Sequence, residues 1–99
     1  MQLNFVTMIL GFRDKRTELF SKGEFVRAFQ GFDRQGWKRL EILEAALTLA
    51  DLAGLPSNRL EALKGDRAGQ FSIRINQQWR MCFLWRQNNA HDVEIVDYH

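Results

Sequence analysis

Residues 71–85 read FSIRINQQWRMCFLW, and this stretch decides the fold. Apolar residues alternate with mostly polar ones from residue 71 to 76 and again from 79 to 85, a period of two that is typical of β-strands. A loop of three residues, 76–78, places the large apolar side chains of both strands on one face, whereas a two-residue loop mixes polar and apolar side chains on both faces. The sequence therefore predicts a hairpin with these pairs: Phe71–Phe83, Ile73–Met81 and Ile75–Trp79.

This register has a consequence for the other face of the hairpin, which we expect the helices to leave open. It places Arg74 directly opposite Arg80. Like charges in that position are destabilising. The pair is therefore explained either by an anion that binds between the two side chains or by two long side chains that spread apart into water.

The rest of the chain divides into a helical first half and a strand-rich second half. A strand is predicted over 9–13, and a helix over 15–21 that Asp14 caps and Gly23 follows. A second helical piece is expected around 24–32, and the longest helix from about 34–36 to 52, with Trp37 packed at its start and Gly54 and Pro56 at its end. The second half adds short and final strands over 60–63 and 90–96, the latter after a turn at Asn88-Asn89.

Composition sets the class of protein. The 99 residues, of which 45% are hydrophobic, fit a single domain over 1–99, with 1–7 as a possible N-terminal extension. A lone Cys82 allows no internal disulfide and favours a reducing compartment. The sequence has no zinc-ligand spacing, signal peptide or apolar run of membrane-spanning length, so we expect a cytoplasmic protein without a metal or other cofactor.

Positive charge is concentrated in one segment. The chain carries a net charge of +2, but residues 59–86 hold six basic and two acidic residues, a local net charge of +4. Such a segment suits a polyanion, although a solvated basic surface has the same composition. Phosphate-binding bases beside the proton-transfer side chains of the terminal Asp97-Tyr98-His99 are the groups that metal-free cleavage of an RNA phosphodiester requires.

Four stretches carry a family resemblance: 58–67 (NRLEALKGDR), 69–76 (GQFSIRIN), 79–83 (WRMCF) and 96–99 (VDYH). They resemble the HigB toxins of bacterial toxin–antitoxin pairs, within the RelE/ParE superfamily, and the resemblance spans residues 8–99. It implies an α+β fold like that of RelE and the microbial ribonucleases, an antiparallel-dominated twisted sheet with the N-terminal helices packed on one face. It also implies a metal-independent endonuclease that cuts translated mRNA in the ribosomal A site and arrests growth.

The resemblance assigns the active site as well. The family's catalytic positions fall on these residues: Lys64, Arg80, Asp97, Tyr98 and His99. Glu61 is a sixth candidate, and it stands where better-studied relatives carry a histidine, so it either acts as the base or orients Lys64 or Arg59. We expect Arg59, Arg67 and Arg74 to bind RNA.

The resemblance also names partners. It implies three partners: a HigA-like helix-turn-helix antitoxin, the A site of the 30S ribosomal subunit, and mRNA. Operator DNA would be contacted only through the antitoxin. A ParE-like toxin that inhibits gyrase is the main alternative, and the terminal Asp97-Tyr98-His99 argues against it. A plain RNA-binding module would need exposed aromatic side chains, whereas most aromatic residues here fall on the predicted core face.

Overall fold

The predicted hairpin is the centre of a four-stranded antiparallel sheet. A computed structural model describes residues 9–98 of the chain. The strands lie in sequence order across the sheet. Their bounds are β1 Glu61–Ala62, β2 Gln70–Arg74, β3 Trp79–Arg86 and β4 Asn89–Asp97.

The register of β2 and β3 confirms the three-residue loop. Ile73 pairs with Met81, and Arg74 pairs with Arg80, as the alternation of apolar side chains predicted. The Asn76 Oδ1 atom closes the loop, because it accepts hydrogen bonds of 2.8 Å from the backbone N–H groups of Gln78 and Trp79. Local turn chemistry and the hydrophobic pattern thus specify the same pairing.

The β3–β4 connection differs from the prediction by one residue. The turn residues are Gln87 and Asn88, with φ of +52° and +64°, rather than Asn88-Asn89. Two positive φ angles in sequence are typical of the type I′ turn that suits a tight hairpin. Further along, Asp92 and Val93 of β4 lie opposite the single β3 residue 83, so β4 contains a β-bulge.

The strand predicted over 9–13 is wrong. Ile9 and Phe12 form only isolated parallel bridges, to Ala90 and Val93 of β4. The segment ends directly after Arg13, because Asp14 caps helix α1, Lys15–Ser21, by accepting a 3.2 Å hydrogen bond from the Thr17 N–H group. The predicted first helix and its cap are confirmed.

The predicted long helix is also wrong, because it is two helices. The segment expected to be helical around 24–32 forms a 3₁₀ helix, Arg27–Phe32, and α2 follows it over Asp33–Ala45. Ala46 then adopts an extended backbone, and Thr48 starts α3, Leu49–Ala53, in a capping box with Asp51. A capping box satisfies two backbone N–H groups at once, so it specifies a new helix start inside the apolar repeat.

The helices cover one face of the sheet and form one core with it. Trp37 lies at the start of α2, as predicted, where its ring stacks on Phe20 at 5.2 Å and its indole N–H donates to the Phe20 carbonyl. Among the described residues, no helix is long and apolar enough to cross a membrane. The buried apolar core residues are Ile9, Phe20, Phe29, Phe32, Leu40, Leu43, Ala46, Leu52, Ile73, Ile75, Met81, Phe83, Ala90, Val93 and Ile95.

Gly36→Ala is expected to destabilise the protein by about 1–3 kcal/mol. A Cβ atom at residue 36 would lie 2.7 Å from the ring of Phe20, which is fully buried and held against Trp37, so the ring has little room to move. The free energy of unfolding in urea measures this loss. Gly31→Ala is the matched control, since a Cβ there meets nothing within 4 Å; equal losses in both variants would contradict the packing argument.

Candidate active site

The face of the sheet opposite the helices holds a cleft with two lobes. We call the first the lysine lobe, a depression of about 470 Å³ next to β1. The second is the arginine lobe, a depression of about 310 Å³ next to the β2–β3 loop. Tyr98 lines both lobes and lies between them. The other residues of the lysine lobe are Glu61, Ala62, Leu63 and Lys64, and those of the arginine lobe are Arg59, Arg74, Asn76, Gln77 and Arg80.

Arg80 lies on the predicted face, but the expectation that it is open there is wrong. Its side chain is 9% exposed. The Nε atom donates to Ser72 Oγ at 2.8 Å, and Nη2 donates to the backbone carbonyls of Arg59 and Ser72. The segment that leads into β1 folds over this part of the sheet, and the alternation of residues in β2 and β3 contains no information about that cover.

Two further groups of the cleft face the Arg80 guanidinium. A Glu61 carboxylate oxygen lies 3.7 Å from Arg80 Nη2, and the Tyr98 ring centre lies 5.8 Å from Cζ, within cation–π range. Arg80 therefore links the two lobes: it contacts the acid of the lysine lobe, the aromatic ring between the lobes and the backbone of Arg59.

Arg80→Ala is expected to destabilise the fold by about 1–3 kcal/mol or more, because it removes a buried side chain and leaves Ser72 Oγ and the Arg59 carbonyl without their donor. Urea unfolding followed by tryptophan fluorescence measures the change. Arg86→Ala, at the exposed end of the same strand, serves as the control and should stay within about 0.5 kcal/mol of the parent protein. Equal stability of the two variants would show that the buried contacts of Arg80 do not support the fold.

Glu61 and Lys64 reach the lysine lobe from the edge of the sheet. Glu61 pairs with Ser72 of β2, which places its side chain on the cleft face, and that side chain is 52% exposed. The Leu63 N–H group donates to the Gln70 carbonyl at 2.8 Å, and Lys64 follows where the chain turns into the short 3₁₀ helix Gly65–Arg67. Lys64 is exposed, so its ammonium group is available to a ligand in the lobe.

Gln78 holds the end of β4 against the hairpin loop. Its carbonyl accepts a 2.6 Å hydrogen bond from the Tyr98 N–H group, and its Nε2 atom donates to Asp97 Oδ2 at 3.0 Å. Asp97 pairs with Trp79, whose side chain packs on the helix side, so alternation directs Tyr98 rather than Asp97 into the cleft. Asp97 lines neither lobe, and His99 lies outside the described residues.

The three predicted RNA-binding arginines do not share one environment. Arg59 and Arg74 line the arginine lobe. Arg67 lines neither lobe, and its Nη1 atom lies 3.2 Å from Glu94 Oε1 in an ion pair. The structure therefore brings two of the three together.

One cation near the cleft was missed from the sequence. Arg39, on α2, donates to Asn58 Oδ1 at 2.6 Å. Burial lowers the pKa of Arg39, and the positive charge of Arg74 lowers it further. No local pattern in the sequence could identify it, because the contact joins residues 19 positions apart.

The chain has a RelE-like toxin fold. Its features are the antiparallel sheet, the helices on one face of the sheet and the basic cleft on the other. The solved YoeB dimer from Staphylococcus aureus has this fold: it matches with a TM-score of 0.53 and 21% identity, over 92% of this chain and 94% of that chain. The family model described as "RelE-like toxin of type II toxin-antitoxin system HigB" matches residues 11–99. The chain therefore belongs to the HigB family of toxins, as the resemblance of its C-terminal half predicted.

Two curated relatives agree with this family. The chain is 38% identical to Toxin HigB-1 of Vibrio cholerae over 80 residues, 79% of this chain and 84% of the relative. It is 35% identical to Endoribonuclease HigB of Proteus vulgaris over 95 residues, 93% of this chain and the full length of the relative. The family match over residues 11–99 includes every residue that lines the two lobes of the cleft.

Proposed function

We propose that this HigB toxin is an endoribonuclease that cuts translated mRNA in the A site of the ribosome and so arrests growth. The observation that carries the proposal is the lysine lobe, in which a cation, Lys64, and a carboxylate, Glu61, line one depression, with Glu61 also in contact with the buried guanidinium of Arg80. Such a set combines charge stabilisation with proton transfer. The name of the Proteus vulgaris relative, an endoribonuclease, supports the same chemistry.

The reaction requires a nucleophile from the RNA, one proton transfer from the RNA to the protein and one proton transfer from the protein to the RNA. The 2′-oxygen forms a bond to the adjacent phosphorus while the bond from phosphorus to the 5′-oxygen breaks, which yields a cyclic phosphate and a 5′-hydroxyl. A base removes the proton of the 2′-hydroxyl, and an acid protonates the departing 5′-oxygen. Glu61 is the candidate base that the cleft presents, and Lys64 would stabilise the charge on the phosphate oxygens in the transition state.

The remaining predicted residues take supporting roles in this proposal. Arg80 would orient Glu61 and Tyr98, both of which it contacts. Tyr98 would stack on a base or donate a hydrogen bond, since the residue is 39% exposed between the lobes. Asp97 and His99 are the other candidates for proton transfer. Arg59 and Arg74 would bind RNA phosphates from the arginine lobe.

Membership of a type II toxin–antitoxin family implies that a protein antitoxin holds this toxin inactive. We propose a HigA-like helix-turn-helix protein as that partner, with operator DNA bound by the antitoxin alone.

Induced expression without an antitoxin tests the function. We expect primer extension to show cuts inside the codons of a translated message, and no cuts in the same message with its start codon removed. Cleavage of both messages would contradict ribosome dependence. Growth arrest with intact mRNA and inhibited DNA supercoiling would instead identify a ParE-like activity.

A further inference from the structure

Three arginines in or beside the arginine lobe carry positive charge that no described carboxylate neutralises. Within residues 9–98, no carboxylate oxygen lies within 4.0 Å of the guanidinium groups of Arg39, Arg59 or Arg74. Arg74 also faces Arg80 across the β2–β3 ladder. Because like charges that face each other destabilise a sheet, a bound anion would stabilise this arrangement.

The backbone of Arg59 is fixed in an unusual conformation. Its φ and ψ of 44° and 55° are left-handed, which is uncommon for a residue other than glycine. The Arg59 N–H group donates to the Pro56 carbonyl at 3.1 Å, and the Arg59 carbonyl accepts from Arg80 Nη2. Since both backbone groups are held, the Arg59 side chain leaves a fixed point on the wall of the arginine lobe.

Arg39 supports the same segment from behind. Its contact of 2.6 Å is with the side-chain oxygen of Asn58, the residue before Arg59. Asn58 is fully buried, and its Nδ2 atom donates to the Leu52 carbonyl at 3.0 Å. The chain from α2 to Asn58 therefore restrains the backbone that carries Arg59.

We infer that Arg59 and Arg74 form a second phosphate subsite, which Tyr98 separates from Lys64. In this inference Arg39 is a positioning residue, because it holds the backbone of Arg59 through Asn58. The ligand class is a phosphodiester of single-stranded RNA that neighbours the bond to be cut, so the inference rests on the proposed function and deepens it. Arg74 Nε donates to the Asn76 carbonyl at 3.1 Å, which fixes the guanidinium and leaves its terminal N–H groups for phosphate oxygens.

Binding of an RNA that cannot be cleaved tests the subsite. The probe is a fluorescent trinucleotide with every 2′-hydroxyl methylated, and its Kd is measured over a series of salt concentrations. Arg59→Gln and Arg74→Gln should each weaken binding about tenfold and reduce the salt slope by about 0.7, the value for one phosphate contact on a single strand. Arg86→Gln removes the same charge at the far end of β3 and should change neither quantity. Variants of Arg59 and Arg74 that behave like Arg86→Gln would overturn the subsite, as would a parent protein without measurable binding.

A double substitution tests the role of Arg39. Arg39→Gln should weaken probe binding about as much as Arg59→Gln, and it should add no further loss in a chain that already carries Arg59→Gln. Arg39→Lys keeps a donor for Asn58 and should restore most of the binding. Losses that add in the double variant would overturn the positioning role, since Arg39 would then act independently of Arg59.

The binding assay separates this inference from the proposed function. If the protein binds the probe with the expected salt slopes but leaves mRNA uncut on ribosomes, the subsite is supported and the nuclease activity is rejected. If the parent protein cleaves mRNA, and the Arg59 and Arg74 variants cleave it and bind the probe as well as the parent does, the nuclease is kept and the subsite is rejected.

Discussion

Lys64→Ala is expected to lower the rate of RNA cleavage by about 10²–10³, the usual effect of removing one group that stabilises charge in a transition state. Lys64 is exposed in the lysine lobe, and no carboxylate of residues 9–98 lies within 4.0 Å of its ammonium group. Its charge is therefore available to a substrate phosphate. Single-turnover cleavage of mRNA on programmed ribosomes measures the effect.

The control for this prediction is Lys38→Ala, which removes the same charge from an exposed position on α2. We expect it to cleave at the rate of the parent protein. Lys64→Ala should unfold at the same urea concentration as the parent, because an exposed lysine contributes little to stability. Equal cleavage by the two variants would show that Lys64 takes no part in the reaction.

The register of the central hairpin was predictable because two independent patterns specify it. Alternating apolar residues require Ile73 to pair with Met81, and the Asn76 side chain closes the three-residue loop that this pairing needs. Where two patterns disagreed, the prediction failed. The apolar repeat of the long helix continues past Ala46, but Thr48 and Asp51 form a cap that begins a separate helix. The cap competes with the repeat, and a period of 3.6 residues does not show which of them prevails.

The part of the candidate site that was predictable consists of residues that are close together in the sequence. Glu61 and Lys64 lie within four residues of each other at the end of one short strand, and both reach the same lobe. Arg80 was placed on the correct face but with the wrong exposure, because the cover comes from a segment 21 positions away. Contacts between distant segments decide burial, and the pattern within one strand contains no information about them.

The β-bulge in β4 decides which residue of the C-terminus enters the cleft. Before the bulge His91 pairs with Leu84, and after it Glu94 pairs with Cys82, so the register shifts by one residue. A shift of one residue exchanges the two faces of a strand. Without the bulge, Asp97 would share the face of Arg80; with it, Asp97 pairs with Trp79, and Tyr98 lines the cleft. The order Asp97-Tyr98-His99 alone does not indicate which side chain faces the cleft, because that choice follows from one inserted residue, Asp92.

Glu61→Gln is expected to lower the single-turnover cleavage rate by about 10²–10⁴, the usual contribution of general acid–base catalysis. Glutamine keeps the shape of the side chain and an oxygen near Arg80, but it cannot take up the proton of the 2′-hydroxyl. Stability should change little because the Glu61 side chain is 52% exposed. Glu41→Gln, on the exposed face of α2, is the matched control and should leave the rate unchanged.

Parallel substitutions at the C-terminus separate the three acid–base candidates. Asp97→Asn should cost less than Glu61→Gln, because the side chain of Asp97 is held by Gln78 and lines neither lobe. His99→Gln should also lower the rate strongly if His99 protonates the 5′-oxygen, since an imidazole is well suited to donate a proton near neutral pH. A cleavage rate for Glu61→Gln within about threefold of the parent would rule out proton transfer by Glu61. The base would then be Asp97 or His99, and the contact between Glu61 and Arg80 would serve only to hold the two lobes in position.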